Sequence, residues 1–329
     1  MAGSGIAHLR SDDQRSLTVE NLVVEFPVSG GTVHAVSDLS IDLLPRETLG
    51  ILGESGCGKS SAGRALMQLP SPTSGTVRLG DVELTSLKPK AMREARAKMQ
   101  MIMQDPVSAL NPRRKVKDLV AEGLEIWGFD GKDRAGFVDD LLRSVGLDPD
   151  VVRDRRPHEL SGGQCQRVCI ARSLAMDPDV LICDEPVSSL DVSVQAQVLN
   201  LLEETRDRYD LSMIFIAHDV AVVKNISDRV MVMYLGKTCE VIPSAGMENL
   251  ALHPYTRLLL TSVPSASDSL EAPASGAVKA VELPSPLNPP SGCRFRTRCP
   301  LATEQCAVEE PQLREMRPGQ FVACHNVEV

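Results

Sequence analysis

Eight residues, Gly53-Glu54-Ser55-Gly56-Cys57-Gly58-Lys59-Ser60, follow the apolar run Leu49-Gly50-Ile51-Leu52 with the spacing G-x-x-x-x-G-K-S. Glycines at these positions let backbone N–H groups close around a polyphosphate where a helix begins, and the helix macrodipole favours an anion there. Lys59 has the reach for β- and γ-phosphates, and the Ser60 hydroxyl can ligate Mg²⁺. A second apolar run, Val180-Leu181-Ile182-Cys183, ends in the carboxylates Asp184 and Glu185; a third, Ile214-Phe215-Ile216-Ala217, ends in His218. Taken singly these have ordinary explanations, solvated carboxylates at a strand end and a structural histidine. Their shared placement at the C-terminal ends of strands reverses that weighing, because ligands bind at this edge of open α/β sheets. Between them lies Leu160-Ser161-Gly162-Gly163-Gln164, whose glycine pair by itself reads as a turn or helix entry.

The elements that must carry these residues are legible from pattern. Leu17 to Phe26 is rich in strand formers, and Val33 to Leu44 has apolar residues at near-alternate positions, so the two are expected to pair antiparallel across Ser29-Gly30-Gly31. Ser60 to Leu69 is the helix opened by the loop, Gly75 to Leu79 a short strand, and Lys90 to Lys98 a charged helix. From Leu110 to about His158 the chain reads as mostly helical: Val116, Leu119, Val120 and Leu124 recur at helical spacing, as do Val138, Leu141, Leu142 and Val145. Helix then alternates with strand through Arg229 to Tyr234, which predicts a parallel sheet. Near Pro243 the core is expected to end. Thr261 to Pro290, rich in Ser, Ala and Pro, reads as a linker.

A net charge of −9 argues against a protein that binds nucleic acid by neutralising phosphates. Only 3% of residues are aromatic, so the core is expected to rest on Val, Leu, Ile, Ala and Met. Neither a signal-peptide core nor a run of about 20 apolar residues is present, which predicts a soluble, cytoplasmic chain reaching the membrane through partners. Cys57, Cys165, Cys169, Cys183 and Cys239 are scattered and read as small buried hydrophobes.

Leu160 to Gln164 resembles the signature of ATP-binding-cassette (ABC) ATPases, and the rest of that pattern follows in order. Gln104-Asp105-Pro106 resembles the Q-loop, Val180 to Glu185 the Walker B strand with its adjacent glutamate, Ser189-Leu190-Asp191 the D-loop, and His218 the switch histidine. The resemblance implies an α/β fold: a RecA-like parallel-sheet core, an antiparallel β subdomain and an inserted helical subdomain. It also implies roles. Lys59 and the loop amides through Ser61 would hold the phosphates of ATP; Ser60, Gln104 and Asp184 would serve Mg²⁺. Glu185 would activate water, His218 would contact the γ-phosphate, and Phe26 would stack on adenine. Ser161, Gly162, Gly163 and Gln164 would act on ATP bound to a second subunit, so the active unit would be a dimer.

Gln104 to Arg113, Arg156 to Leu160, Asp184 to Asp191 and His253 to Leu259 narrow the resemblance to ATPases of oligopeptide/dipeptide importers. That implies a peripheral subunit on the cytoplasmic side of the membrane, working with a second ATPase, two transmembrane permease subunits and an extracytoplasmic binding protein, and no nucleic acid. Import of nickel or glutathione, or a soluble ABC ATPase outside transport, are the alternatives. The expected organisation is a flexible tail over 1–16, an ATPase domain over 17–245 with its helical subdomain at about 106–164, and a C-terminal extension over 246–329. Within the extension, Cys293, Cys299, Cys306 and Cys324 form a C-x5-C-x6-C-x17-C array. With no hydrophobic core expected for this tail, a metal staple is favoured over disulfides. In the family such cysteines are associated with a [4Fe–4S] cluster in some members, which comes first here; zinc is second and unliganded thiols third. Arg294, Arg296 and Arg298 would offset the thiolate charge.

Overall fold

The computed structural model describes residues 5–11, 14–128, 133–261 and 283–328. The chain divides into two compact units, residues 1–87 with 215–329, and residues 88–214. Most of the expected linker lies outside the described residues. No helix among the described residues is long and apolar enough to cross a membrane.

The first unit opens with an antiparallel sheet in the order Gly31–Leu43, Leu17–Val28, Ser74–Leu79, Val82–Glu83. Leu17 faces Leu43 and Val19 faces Ile41 across the first pair. Leu17, Val19, Leu22, Val24, Val36, Leu39, Ile41 and Leu43 are all buried, the half-buried pattern that β-branched and leucine side chains produce on a pleated surface. Register shifts between Val19 and Leu22 accommodate Asn21, which has a left-handed φ of 52°.

The same unit holds the phosphate-loop strand Thr48–Leu52, buried at every position and parallel to Arg229–Tyr234. Arg229–Tyr234 turns back antiparallel into Lys237–Pro243. The two turn residues Leu235 and Gly236 have φ of 44° and 77°, the doubly left-handed turn whose twist suits a tight hairpin. Gln320–Val322 then pairs with Lys237–Pro243, and Arg314–Arg317 pairs outside it. The C-terminal extension thus adds strands to a sheet edge that would otherwise present unpaired amides.

Two expectations for the chain ends are corrected. Within residues 1–16, His8 is buried and bonds through Nε2 to the Ser40 carbonyl, and Arg10 pairs with Asp42 and Glu47. The tail does not lack a core: Leu252, Val322, Cys324 and Val327 form a buried apolar cluster. Phe295 is buried against Tyr234 and Tyr255, with ring centroids 5.2 and 5.3 Å away. The core therefore continues past Pro243.

His253 caps the helix Pro254–Leu260, its Nδ1 accepting from the Tyr255 amide at 3.1 Å, and burial lowers its pKa from 6.5 to about 4. The unfolded chain takes up this proton near pH 6.5 and the folded chain only near 4. The stability contributed by the neutral ring is complete above pH 6.5 and is lost as pH falls through about 4. Glu240, raised by its own burial, works in the opposite sense. Urea midpoints are expected to fall across this window and to fall less in His253→Asn, which keeps a cap; equal slopes in the two proteins would refute the assignment.

The second unit pairs Met99–Ile102 in parallel with Val180–Asp184. Its helices include Pro89–Ala97, Val116–Val120, Glu122–Trp127, Arg134–Ser144, Gly162–Leu174 and Val192–Arg208. The two predicted stripes are core: Val116, Leu119, Val120, Leu124, Val138, Leu141, Leu142 and Val145 are all buried. The expected long helical stretch is divided by Gly128, whose left-handed φ of 68° ends Glu122–Trp127.

Candidate functional site

In the first unit, the strand Thr48–Leu52 delivers the chain into the phosphate loop and the helix Lys59–Leu66 leaves it. Two loop glycines are required by space, and Gly58 by rotation as well. A Cβ on Gly58, at φ 103°, would stand 2.1 Å from the Ala35 carbonyl oxygen, and one on Gly53 would stand 2.3 Å from that of Met233. Lys59 is only 4% exposed; its Nζ donates to the carbonyls of Gly53 at 2.7 Å and Glu54 at 3.0 Å. Cys57 is buried and its thiol is pushed up by that burial, against the pull of the Lys59 ammonium. It acts here through its backbone, the Cys57 carbonyl accepting from the Gly236 amide at 2.7 Å.

His218 follows the strand Ser212–Ala217 and is exposed. The next residue, Asp219, caps the helix Val220–Ile226 by accepting from the Val222 amide. Phe26 is half-buried in the strand Leu17–Val28, opposite Val33.

In the second unit, Asp184 ends a fully buried strand and is 1% exposed, and Glu185 is 8% exposed. Glu185 has a left-handed φ of 48°, a conformation costly for a residue with a side chain and characteristic of functional turns. Its Oε2 accepts from Gln104 Nε2 at 3.2 Å. The turn beyond is pinned from its own helix: Gln195 Nε2 donates to the carbonyls of Val187 and Leu190.

Ser161 caps the helix Gly162–Leu174 in a reciprocal box, its Oγ accepting from the Gln164 amide while Gln164 Oε1 accepts from the Ser161 amide. Gln164 is thus spent on its own helix, and the outward-facing groups are Ser161 and the exposed Gly162. Gly163 is a packing glycine: a Cβ there would meet Val194 Cγ1 at 2.6 Å. Pattern reading missed two residues on this helix. Arg172 donates to the Ala109 carbonyl at 2.8 Å and the Cys169 thiol to that of Pro106 at 3.6 Å, so the helix carries the segment after Gln104. No motif announces either contact, since 63 residues separate each pair.

The four-cysteine expectation is not met as drawn. Among the described residues no group of three or more His, Cys, Asp or Glu is placed to hold a metal ion. Burial, with like-charge repulsion from neighbouring cysteines, pushes Cys293 up to about 11 and Cys299 up to about 12. Asn326 donates from Nδ2 to Cys306 Sγ at 3.3 Å and from its amide to Cys324 Sγ at 3.5 Å. The arginines are also employed elsewhere: Arg294 on the Leu235 carbonyl and Ser37 Oγ, Arg296 on Ser291, and Arg298 on Glu54 of the phosphate loop.

Residues 36–188 match the family described as ABC transporter, and residues 239–306 match the oligopeptide/dipeptide transporter C-terminal region. The oligopeptide transport ATP-binding protein AppF of Bacillus subtilis (strain 168) is 46% identical over 297 residues, 90% of each chain. OppF of Haemophilus influenzae, also an oligopeptide transport ATP-binding protein, is 46% identical over 298 residues, again 90% of each. The solved structure of cbiO1 from Clostridium perfringens, part of the ABC transporter complex cbiONQ, has a TM-score of 0.65 at 26% identity and covers 78% of this chain and 98% of that one. With relatives this similar along nearly the whole length, and the cassette's ordered motifs set on the strands and helix termini described above, the chain belongs to the ABC transporter ATPases, in the branch that carries the oligopeptide/dipeptide C-terminal region.

Proposed function

We propose that this chain hydrolyses ATP to power import of oligopeptides or dipeptides through a membrane ABC transporter, by ATP-driven closure of two nucleotide-binding domains. The observation that carries the reading is the joint presence of an intact cassette and the peptide-transporter C-terminal region in one chain, which is similar to AppF and OppF over 90% of each chain. The substrate is ATP with its Mg²⁺. Hydrolysis of a γ-phosphate needs charge stabilisation and a positioned water rather than a covalent intermediate. Lys59 and the amides of Ser55 to Ser61 hold the phosphates. Ser60, Gln104 and Asp184 offer only oxygen donors, the set that suits Mg²⁺. Glu185, oriented by Gln104, takes the proton of the attacking water, and His218 contacts the γ-phosphate.

The signature supports a dimer. Ser161 and Gly162 stand exposed at the N-terminus of a 13-residue helix, where amides favour an anion. Val192, just beyond the D-loop residues, is 82% exposed. The partners are a second ATPase, two permease subunits whose cytoplasmic side this chain meets, and an extracytoplasmic binding protein. The test is reconstitution with the permease subunits in vesicles. Peptide uptake that requires ATP is the expected result, and ATP-dependent uptake of another solute with none of peptide would overturn the substrate class.

The finer part of the proposal concerns the tail. Asn326 bonds to the sulfurs of both Cys306 and Cys324, and this, with the C-x5-C-x6-C-x17-C spacing that includes Cys293 and Cys299, supports a shared [4Fe–4S] cluster, with zinc second. Iron and sulfide in the anaerobically purified chain are expected to fall in Cys299→Ser. Equal metal content in the two proteins would discard this ligand set.

A further inference from the structure

Glu54, the second residue of the phosphate loop, has every polar group committed within the first unit. Its amide donates to the Tyr255 hydroxyl at 2.8 Å. Its carbonyl accepts from Lys59 Nζ at 3.0 Å and from the Cys57 amide at 3.3 Å. Its two carboxylate oxygens take the two ends of the Arg298 guanidinium, at 2.6 and 2.9 Å. The last contact is the two-pronged arrangement that makes arginine–carboxylate pairs both strong and directional.

Arg298 is itself held in place. Its side chain is 11% exposed, and the guanidinium lies over the rings of Tyr234 and Phe295, 5.7 and 5.9 Å from their centroids. Those rings pack with Tyr255, and all three are buried. The tail segment is pinned further by Arg294 on the Leu235 carbonyl and Ser37, and by Lys237 on Glu310 at 2.7 Å. An aromatic block built by Tyr234 with Tyr255 and Phe295 of the C-terminal extension thus presents one guanidinium and one hydroxyl to a single loop residue.

Two consequences bear on ATP. Holding the Glu54 peptide holds one of the two carbonyls that seat the Lys59 ammonium, so the loop enters binding already shaped, and preorganisation of this kind reduces the ordering cost of association. Pairing with Arg298 also neutralises a carboxylate that would otherwise repel a polyphosphate at short range.

We propose that Arg298 and Tyr255 are positioning residues for the phosphate-binding loop, through which the C-terminal extension sets the affinity of this subunit for ATP. The inference rests on the reading of residues 53–61 as the nucleotide site and adds to it a control exerted from the far end of the chain. The test is titration of the full-length chain and its variants with a fluorescent ATP analogue, with unfolding temperatures measured alongside in the absence of nucleotide. Tyr255→Phe, which keeps the ring and loses only the hydroxyl, and Arg298→Ala are each expected to raise Kd about tenfold, the effect of losing hydrogen bonds to an ordered or charged group. Arg298→Lys is expected to recover part of that loss, because it restores the charge without the fork. Tyr255→Phe is expected to leave the unfolding temperature close to wild type, which separates positioning from general stability. Wild-type Kd in both Tyr255→Phe and Arg298→Ala would overturn the proposal while leaving the nucleotide site intact. Failure of the wild-type chain to bind the analogue would overturn the site reading and this inference with it.

Discussion

Replacing Glu185 by glutamine is expected to leave ATP binding intact and to lower turnover by about 10²- to 10⁴-fold, the range associated with loss of a positioned general base. Glutamine preserves the shape of the site. Its carbonyl oxygen can still accept from Gln104 Nε2, as Glu185 Oε2 does at 3.2 Å, and the left-handed backbone at position 185 is asked of the same kind of side chain. What is removed is basicity. The check has two parts: phosphate release by the assembled transporter at saturating MgATP, and Kd for ATP on the isolated chain. A variant that binds but does not turn over should also accumulate as the ATP-bound dimer, visible as an earlier elution on size exclusion only when ATP is present. Normal hydrolysis by Glu185→Gln would remove the base assignment.

Lys59→Ala is expected to lose nucleotide affinity by about a hundredfold, or about 3 kcal/mol, the scale of charge-assisted hydrogen bonds in a desolvated site. The side chain is almost fully buried, and its ammonium is aimed by the carbonyls of Gly53 and Glu54. Alanine leaves the Glu54 carbonyl with the Cys57 amide alone, removes the Lys59 donor from the Gly53 carbonyl, and leaves the phosphates without a neutralising charge. Because the loop glycines and amides remain, residual weak binding is expected rather than none. Titration of the variant beside wild type measures the difference, and an unchanged Kd would count against the phosphate-loop reading.

What was legible in the sequence is what local structure determines. The strand formers of Leu17 to Phe26, the near-alternate apolar residues of Val33 to Leu44, and the uniformly apolar runs before Gly53 and Asp184 announce strands because burial on one face or two imposes those patterns. The phosphate loop is readable from its own glycine spacing, and the signature because Ser161 acts on backbone only three residues away. Contacts between distant segments left no such mark. Arg298 reads as one of three basic residues beside cysteines, and only the folded chain shows it on Glu54, 244 residues earlier. Tyr255 on Glu54 and Arg172 on Ala109 were hidden in the same way. The cysteine array was legible as spacing alone, and spacing does not state which atoms the sulfurs meet. Low aromatic content suggested a core resting on Val, Leu, Ile, Ala and Met, whereas Tyr234, Tyr255 and Phe295 are buried together in one block.

The hairpin at Leu235 and Gly236 has a consequence for how the protein is made. Gly236 bonds to Cys57 and Ser37, and Leu235 receives Arg294, so the loop that opens the cassette is braced by segments translated long after it. Closing so large a ring of chain carries an entropic cost that only the finished sequence can repay. On the ribosome, the phosphate loop therefore emerges before Gly236 exists to brace it, and that hydrogen bond can form only after residue 236 has been made.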